Sequence, residues 1–262
     1  MRFVIGSMKL SEYFKYSFLC FACLLFLLFV LYPKAGVAQT GKKERARIEL
    51  SQPGRPGLLR VNHYKGSIRV NGYKGNAVIV KAGYRVDKAG RGMQRITDSS
   101  LELSVVEQNN EVTVHTDSYR RTVDLEILVP FEFSLNLQTY DNGEIEVTDV
   151  KGEMEINNTN GPIRLLRVSG YAICSTVDGD ILIKFKEITP EMPMAFTSIE
   201  GNIDVTLPPT QSLSLKMKTD HGDIYSDEVF EVIQGNWSRS VINKGGAEIL
   251  IKTLNGNIYI RR

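Results

Sequence analysis

Glycine recurs every nine residues in the middle of this chain, at Gly143, Gly152, Gly161, Gly170 and Gly179. Apolar side chains alternate with other residues for four or five positions after each glycine, a pattern typical of a strand with one buried face. Because Asn or Asp precedes every second glycine, the full repeat is about 18 residues long and holds two strand-turn units. One unit alone buries no core, whereas stacked copies bury a continuous one.

The 18-residue period predicts an all-β fold, a β-solenoid or β-helix-like repeat array in which equivalent residues of successive coils stack. Each glycine is expected to supply a turn backbone that other residues adopt only with strain. An antiparallel meander or β-sandwich is the alternative, because Asn-Gly turns also join hairpins; residues 101–116 have such a pattern, turning at Asn109-Asn110. The solenoid register predicts two apolar columns: Ile145, Ile163 and Ile181, and Val147, Leu165 and Ile183.

The N-terminal segment has the features of a secretory signal peptide. Lys9 and Lys15 precede an uncharged run at 18–31, and small residues lead to a predicted cleavage site after Ala38. The run is shorter than the ~20 residues of a membrane-spanning helix, although an uncleaved anchor is the alternative. We therefore predict an exported protein of the periplasm, cell surface or extracellular space. Its expected divisions are a signal peptide at 1–38, a linker at 39–47 and a β-strand-repeat domain at 48–262.

The net charge and the cysteine content limit which partners and which covalent links we expect for this protein. Residues 1–38 contribute +3 to a formal charge of +2 for the whole chain, which leaves 2 − 3 = −1 for the remainder. A near-neutral protein has no broad basic field, so nucleic acid is not expected as a partner. Cys174 is the single cysteine after residue 38, which excludes an internal disulfide there. It falls beside Ile156 in the repeat, where we expect buried packing.

Neither a metal site nor a cofactor is predicted. The three histidines lie in separate repeats, without a second ligand at metal spacing. The nine-residue period is also that of calcium-binding β-rolls, but each unit here has one glycine and no regular aspartate. Aspartates beside the glycines, such as Asp178 and Asp180, are therefore interpreted as turn residues.

Paired glutamates allow one enzymatic alternative, a polysaccharide-active hydrolase or lyase on a β-helix. The densest acidic set occupies outward positions of two strands, where charge keeps a sheet soluble. The 18-residue register stacks Glu153 on Tyr171 and Glu155 on Ile173 rather than on other carboxylates. We therefore predict that the protein is not an enzyme.

Residues 226–246 interrupt the repeat and contain the only tryptophan. Long insertions on one face of a repeat array often bind partners, so Phe230, Val232 and Trp237 are the candidate binding residues. A packing plug or a flexible loop is the interpretation that we favour over binding for this insertion.

Several of these units resemble one known family. A strand ending at Val129-Pro130 and units of the form Asn-Gly-x-Ile, as at 142–147, 160–163 and 255–258, resemble the bacterial putative-adhesin family of β-strand-repeat domains of unknown function. The resemblance covers about residues 45–262. It implies a bacterial, exported, β-helical protein with an adhesive or envelope role and without catalytic residues.

These observations predict a non-enzymatic cell-envelope or surface binding module. Its expected partner is an envelope or surface protein or a glycan, with membrane association only if the N-terminal segment is uncleaved. The alternatives are the polysaccharide-active enzyme and a structural or signalling subunit of an envelope complex.

Overall fold

The computed structural model describes residues 43–84, 103–119, 121–190, 192–233 and 237–262. All of them belong to the second of two units into which the chain divides, Met1–Thr40 and Gly41–Arg262. The predicted signal peptide at 1–38 lies outside the described residues. Within the described ranges, no helix has the length and hydrophobicity needed to cross a membrane.

Twenty strands account for most of the described residues. They are β1 (Lys43–Glu49), β2 (Gly57–Lys65), β3 (Ile68–Tyr73), β4 (Ala77–Tyr84), β5 (Leu103–Gln108), β6 (Glu111–Thr116), β7 (Val123–Pro130), β8 (Phe133–Asp141), β9 (Ile145–Thr148), β10 (Lys151–Asn160), β11 (Ile163–Asp178), β12 (Ile181–Ile188), β13 (Met194–Glu200), β14 (Ile203–Thr206), β15 (Leu213–His221), β16 (Ile224–Ser226), β17 (Glu231–Ile233), β18 (Trp237–Ile242), β19 (Ala247–Asn255) and β20 (Ile258–Arg261). β1 begins inside the range predicted as a linker.

Strand pairing arranges these elements as the two faces of a solenoid. Face A has the spatial order β1, β4, β7, β3, β9, first half of β11, β12, β14, β20, β16. Face B has the order β5, β6, β2, β8, β10, second half of β11, β13, β19, β15, β18, β17. The 16-residue β11 passes from one face to the other, with an irregular register after Leu166.

A coil consists of one strand of face B followed by one strand of face A, and parallel pairing joins each coil to the next. This confirms the predicted solenoid and both predicted apolar columns, since Ile163 pairs with Ile145 and Ile181, and Leu165 pairs with Val147 and Ile183. Among the described strands, antiparallel pairing is limited to the two ends of the array. The antiparallel pairs include the predicted hairpin of β5 and β6, whose turn residues Asn109 and Asn110 both have positive φ.

The order of the coils in space differs from their order in sequence at both ends of the array. The β2/β3 coil lies between β6/β7 and β8/β9. The β19/β20 coil lies between β13/β14 and β15/β16. Antiparallel strands β4, β1 and β5 then extend one end, and β18 and β17 extend face B at the other. These strands cover the parallel edges of β6, β7 and β15, which otherwise invite pairing with other chains, whereas β16 has no strand on its outer side among the described residues.

Close approach of successive turns explains the glycine period. We call the glycine between the face B strand and the face A strand of a coil its turn glycine: Gly66, Gly143, Gly161, Gly179, Gly201, Gly222 and Gly256. A Cβ built on any of the last six would lie 2.0–2.2 Å from the carbonyl oxygen of the turn glycine in an adjacent coil, and one on Gly170 would lie 2.1 Å from that of Gly152. A positive φ does not explain why all of these positions are glycine. Gly161 has a φ of 146°, whereas the φ of Gly143 and that of Gly179 lie outside the left-handed region. The expectation that glycine is needed for a strained turn backbone therefore holds for only part of the series.

A column of polar side chains lies inside the solenoid, three or four residues before each turn glycine. All of its members except the partly exposed Thr219 are buried, and five of them donate a hydrogen bond to the carbonyl oxygen of a turn glycine in the adjacent coil. The five bonds are Asn158 to Gly143 (2.8 Å), Thr176 to Gly161 (3.2 Å), Ser198 to Gly179 (3.1 Å), Thr253 to Gly201 (2.9 Å) and Thr219 to Gly256 (2.7 Å). The column therefore supplies donors to carbonyl groups that the turns withdraw from water.

His63 occupies the same column and is fully buried. Its Nε2 lies 2.6 Å from the Val123 carbonyl oxygen, and the Thr116 hydroxyl lies 3.2 Å from its Nδ1. These contacts fit a neutral ring that donates from Nε2 and accepts at Nδ1. Burial lowers the pKa of His63, while the bond to Val123 opposes that shift.

We expect His63 to make the stability depend on pH below about 6.5. Because its pKa is lower in the folded state, its contribution is complete above the unfolded pKa and is lost as pH falls through the folded pKa, at up to about 1.4 kcal/mol per pH unit. Urea unfolding between pH 7.5 and 5 measures this slope, and His63→Gln should reduce it. His221→Gln, which removes an exposed imidazole, serves as the control; equal slopes for the two variants would contradict the assignment.

Candidate binding surface

A row of exposed apolar side chains crosses the strands of face B. Its members precede the turn glycines by two or three residues and occupy equivalent positions in six adjacent strands, β2, β8, β10, β11, β13 and β19. We call this row the ridge: Tyr64, Tyr140, Thr159, Val177, Ile199 and Leu254. Five of the six are exposed large hydrophobic residues, from 37% for Tyr140 to 51% for Tyr64. With strands about 4.8 Å apart, the ridge is about 24 Å long.

The next outward row is uncharged and polar on the first five of these strands, from β2 to β13, and its position on β19 is Lys252. Strand pairing aligns its members beside the ridge on five successive strands. We call it the polar row: Asn62, Gln138, Asn157, Ser175 and Thr197. Each of these side chains can both donate and accept hydrogen bonds, so face B offers an apolar line beside a line of neutral hydrogen-bonding groups.

An open groove of about 750 Å³ runs along the turns beside the ridge. The turn glycines contribute no side chains to it, and residues before and after them form its walls. Its charged members are Glu144, Arg164, Asp178, Asp180 and Glu200. Arg164 forms an ion pair with Glu144, which leaves an excess of carboxylates on this side of the ridge.

The residues predicted to form a binding insertion lie apart from the ridge and do not form one patch. Phe230 lines a 350 Å³ pocket with Tyr225 and Tyr259 of face A. Val232, 68% exposed, lies on the outermost strand of face B. Trp237 is half-buried on β18, and its ring lies 4.6 Å from the Lys216 ammonium group. Their role in binding stays a prediction.

The outward glutamates of β10 have the predicted neighbours. Glu153 pairs with Tyr171 and Glu155 pairs with Ile173. Both glutamates are exposed, whereas a carboxyl that acts as a general acid is usually held in an apolar pocket. In the part of the chain that the structure describes, no three His, Cys, Asp or Glu side chains are grouped as metal ligands.

Cys174 is fully buried and pairs with Ile156 across β10 and β11, as predicted. Burial raises the pKa of its thiol. Because the thiolate is the reactive form, this cysteine is suited to packing rather than to nucleophilic chemistry.

The segment from β8 to β20 is also the part of the chain that matches a known protein family. Residues 132–261 match the family described as Toastrack DUF4097. The chain carries a Toastrack domain. This confirms the family predicted from the Asn-Gly-x-Ile units at 142–147, 160–163 and 255–258, which lie within the matched range. The coils β2/β3 and β6/β7, before residue 132, continue the Toastrack array by parallel pairing.

Solved structures similar to the Toastrack chain include bacterial proteins. A putative cell adhesion protein from Clostridium sporogenes is 14% identical, with a TM-score of 0.47 and coverage of 84% of this chain and 99% of that chain. A putative adhesin from Bacteroides fragilis is 10% identical, with a TM-score of 0.30 and coverage of 86% and 100%. Another from Parabacteroides merdae is 10% identical, with a TM-score of 0.29 and coverage of 85% and 98%. No curated protein matches the Toastrack chain.

Proposed function

We propose that this Toastrack protein is a non-enzymatic, exported cell-envelope or surface protein that binds an extended partner through face B. The ridge carries this proposal. Exposed apolar side chains that are grouped on one surface mark interaction sites on soluble proteins. Its five large apolar side chains lie at equivalent positions of the coils, rather than scattered singly as ordinary exposed hydrophobic residues are.

The rigidity of the ridge also supports a binding role. Each ridge residue lies next to a member of the buried polar column, and the hydrogen bonds of that column fix successive turns to one another. A surface that is ordered before binding loses less conformational entropy when the partner arrives. The signal peptide predicted at 1–38 supports export.

Purified protein would test this proposal in a binding screen against envelope glycans and cell-surface proteins, combined with product analysis of the same glycans. Tyr140→Ser with Ile199→Ser changes two exposed positions of the ridge. Val106→Ser with Tyr225→Ser is the matched control, because those residues are 56% and 51% exposed but lie off the ridge. We expect saturable binding that only the ridge variant weakens. Equal binding by both variants, or cleavage of a glycan, would overturn the proposal.

A further inference from the structure

We propose that the ridge and the polar row together bind a neutral, linear, β-linked polysaccharide that lies along the ridge and crosses the strands. Successive sugar rings would contact successive coils. The inference rests on the proposed function and names the ligand class for the same surface.

The absence of charge on this surface favours a neutral ligand. Over five strands, from β2 to β13, the ridge and the polar row present ten outward side chains, none of which is charged, in a chain with 24% charged residues. A charged ligand would lose its hydration here without gaining an ionic partner. Carboxylates of the adjacent groove, including Asp178 and Glu200, would in addition repel an anionic polymer.

The two rows complement the two kinds of surface on a sugar ring. A pyranose has apolar C–H faces and a rim of hydroxyl groups. Tyr64 and Tyr140 stand side by side at one end of the ridge, with ring centroids 6.1 Å apart, and offer aromatic surface to those faces. The amides of Gln138 and Asn157 can donate to and accept from hydroxyl groups, as the Ser and Thr hydroxyls of the same row can.

The spacing of the coils separates a glycan from a peptide. Adjacent strands are about 4.8 Å apart. A pyranose in an extended β-1,4-linked chain advances by a slightly longer distance, so that one ring falls on each strand over a short segment. An extended peptide places side chains on one face every two residues, or about 6.8 Å, and therefore falls out of register with the ridge. The five strands from β2 to β13, over which both rows are uncharged, accommodate about five sugar rings, at one ring for each strand.

Titration calorimetry of the purified protein with cello- and chito-oligosaccharides of increasing length tests the inference. We expect the affinity to rise with length and to level off near five rings. Tyr140→Ser and Asn157→Leu should each weaken binding about tenfold, a change that corresponds to about 1.4 kcal/mol. Tyr225→Ser, on face A, should leave the affinity unchanged. Urea unfolding of each variant establishes that the fold is intact.

Asn157→Leu distinguishes a glycan from a protein partner, because an apolar protein surface would tolerate or prefer leucine at this position. The inference would be overturned if the affinity did not depend on oligosaccharide length. It would also be overturned if a polyuronate bound as strongly as neutral glycans at low salt. Ridge-dependent binding of a surface protein with no glycan bound would overturn it too, while leaving the proposed function intact. Ridge variants without effect on any target would overturn both.

Discussion

Replacing Gly179 by alanine is expected to lower the free energy of unfolding by about 3 kcal/mol, at the upper end of the cost of overpacking a tight site. A Cβ at this position would lie 2.2 Å from the carbonyl oxygen of Gly161. That oxygen belongs to the backbone and cannot rotate away, so the two turns must separate. Separation would weaken the two backbone bonds that join these turns, from the Gly161 amide to the Asp178 carbonyl (2.7 Å) and from the Ile163 amide to the Asp180 carbonyl (2.9 Å). Urea unfolding monitored by circular dichroism measures the loss.

Gly54→Ala is the control for backbone strain. Gly54 has a φ of 80°, and a Cβ there would meet nothing within 4 Å. Its substitution should cost about 1 kcal/mol, the penalty of an L-residue in the left-handed region. Gly179 has no such φ, so a larger loss at Gly179 isolates the effect of close approach. A loss at Gly179 no greater than that at Gly54 would contradict the packing explanation.

Replacing Thr253 by valine is expected to destabilise the fold by about 2 kcal/mol, the cost of depriving a buried polar group of its partner. The fully buried Thr253 hydroxyl donates to the Gly201 carbonyl oxygen at 2.9 Å. Valine has nearly the same shape but no donor, so the change removes the hydrogen bond without opening a cavity. Denaturant unfolding at constant pH gives the difference in stability.

Thr139→Val is the matched control within the same column. Thr139 is equally buried, but its hydroxyl has no hydrogen-bond partner among the described residues. Valine there removes an unsatisfied polar group, so we expect a neutral or stabilising effect. If Thr139→Val and Thr253→Val destabilise to the same extent, the loss comes from side-chain shape and not from the bonds to the turns.

The repeated part of the fold could be predicted because burial and turn chemistry repeat with the same period. Ile145, Ile163 and Ile181 stack as the 18-residue register requires. The interior polar column was missed, since a polar residue three positions before a glycine also fits an exposed turn. The recurrence of a polar residue three positions before a turn glycine is the signal that could have revealed the column, as at His63, Thr176 and Thr253.

The candidate surface was harder to predict than the fold. An apolar residue two positions before a turn glycine, such as Val177 or Ile199, is visible in the sequence, but its outward orientation depends on the buried residue beside it. Trp237 attracted the functional prediction because it is the only tryptophan. Nor does the period show the changed coil order, because the β15/β16 and β19/β20 units have the same local pattern and only long-range pairing distinguishes their places.

The changed coil order bears on how the array can come apart. In a simple repeat array, the end coil contacts one neighbour that is also adjacent in sequence, so it can detach alone. Here the end coil β15/β16 has the β19/β20 coil as its parallel neighbour, with β17 and β18 between them in sequence. At the other end, β6/β7 covers β2/β3, which precedes it in the chain. When either end coil separates from its neighbour, it therefore stays joined to the chain at both of its own ends, and its detachment leaves a closed loop rather than a free tail.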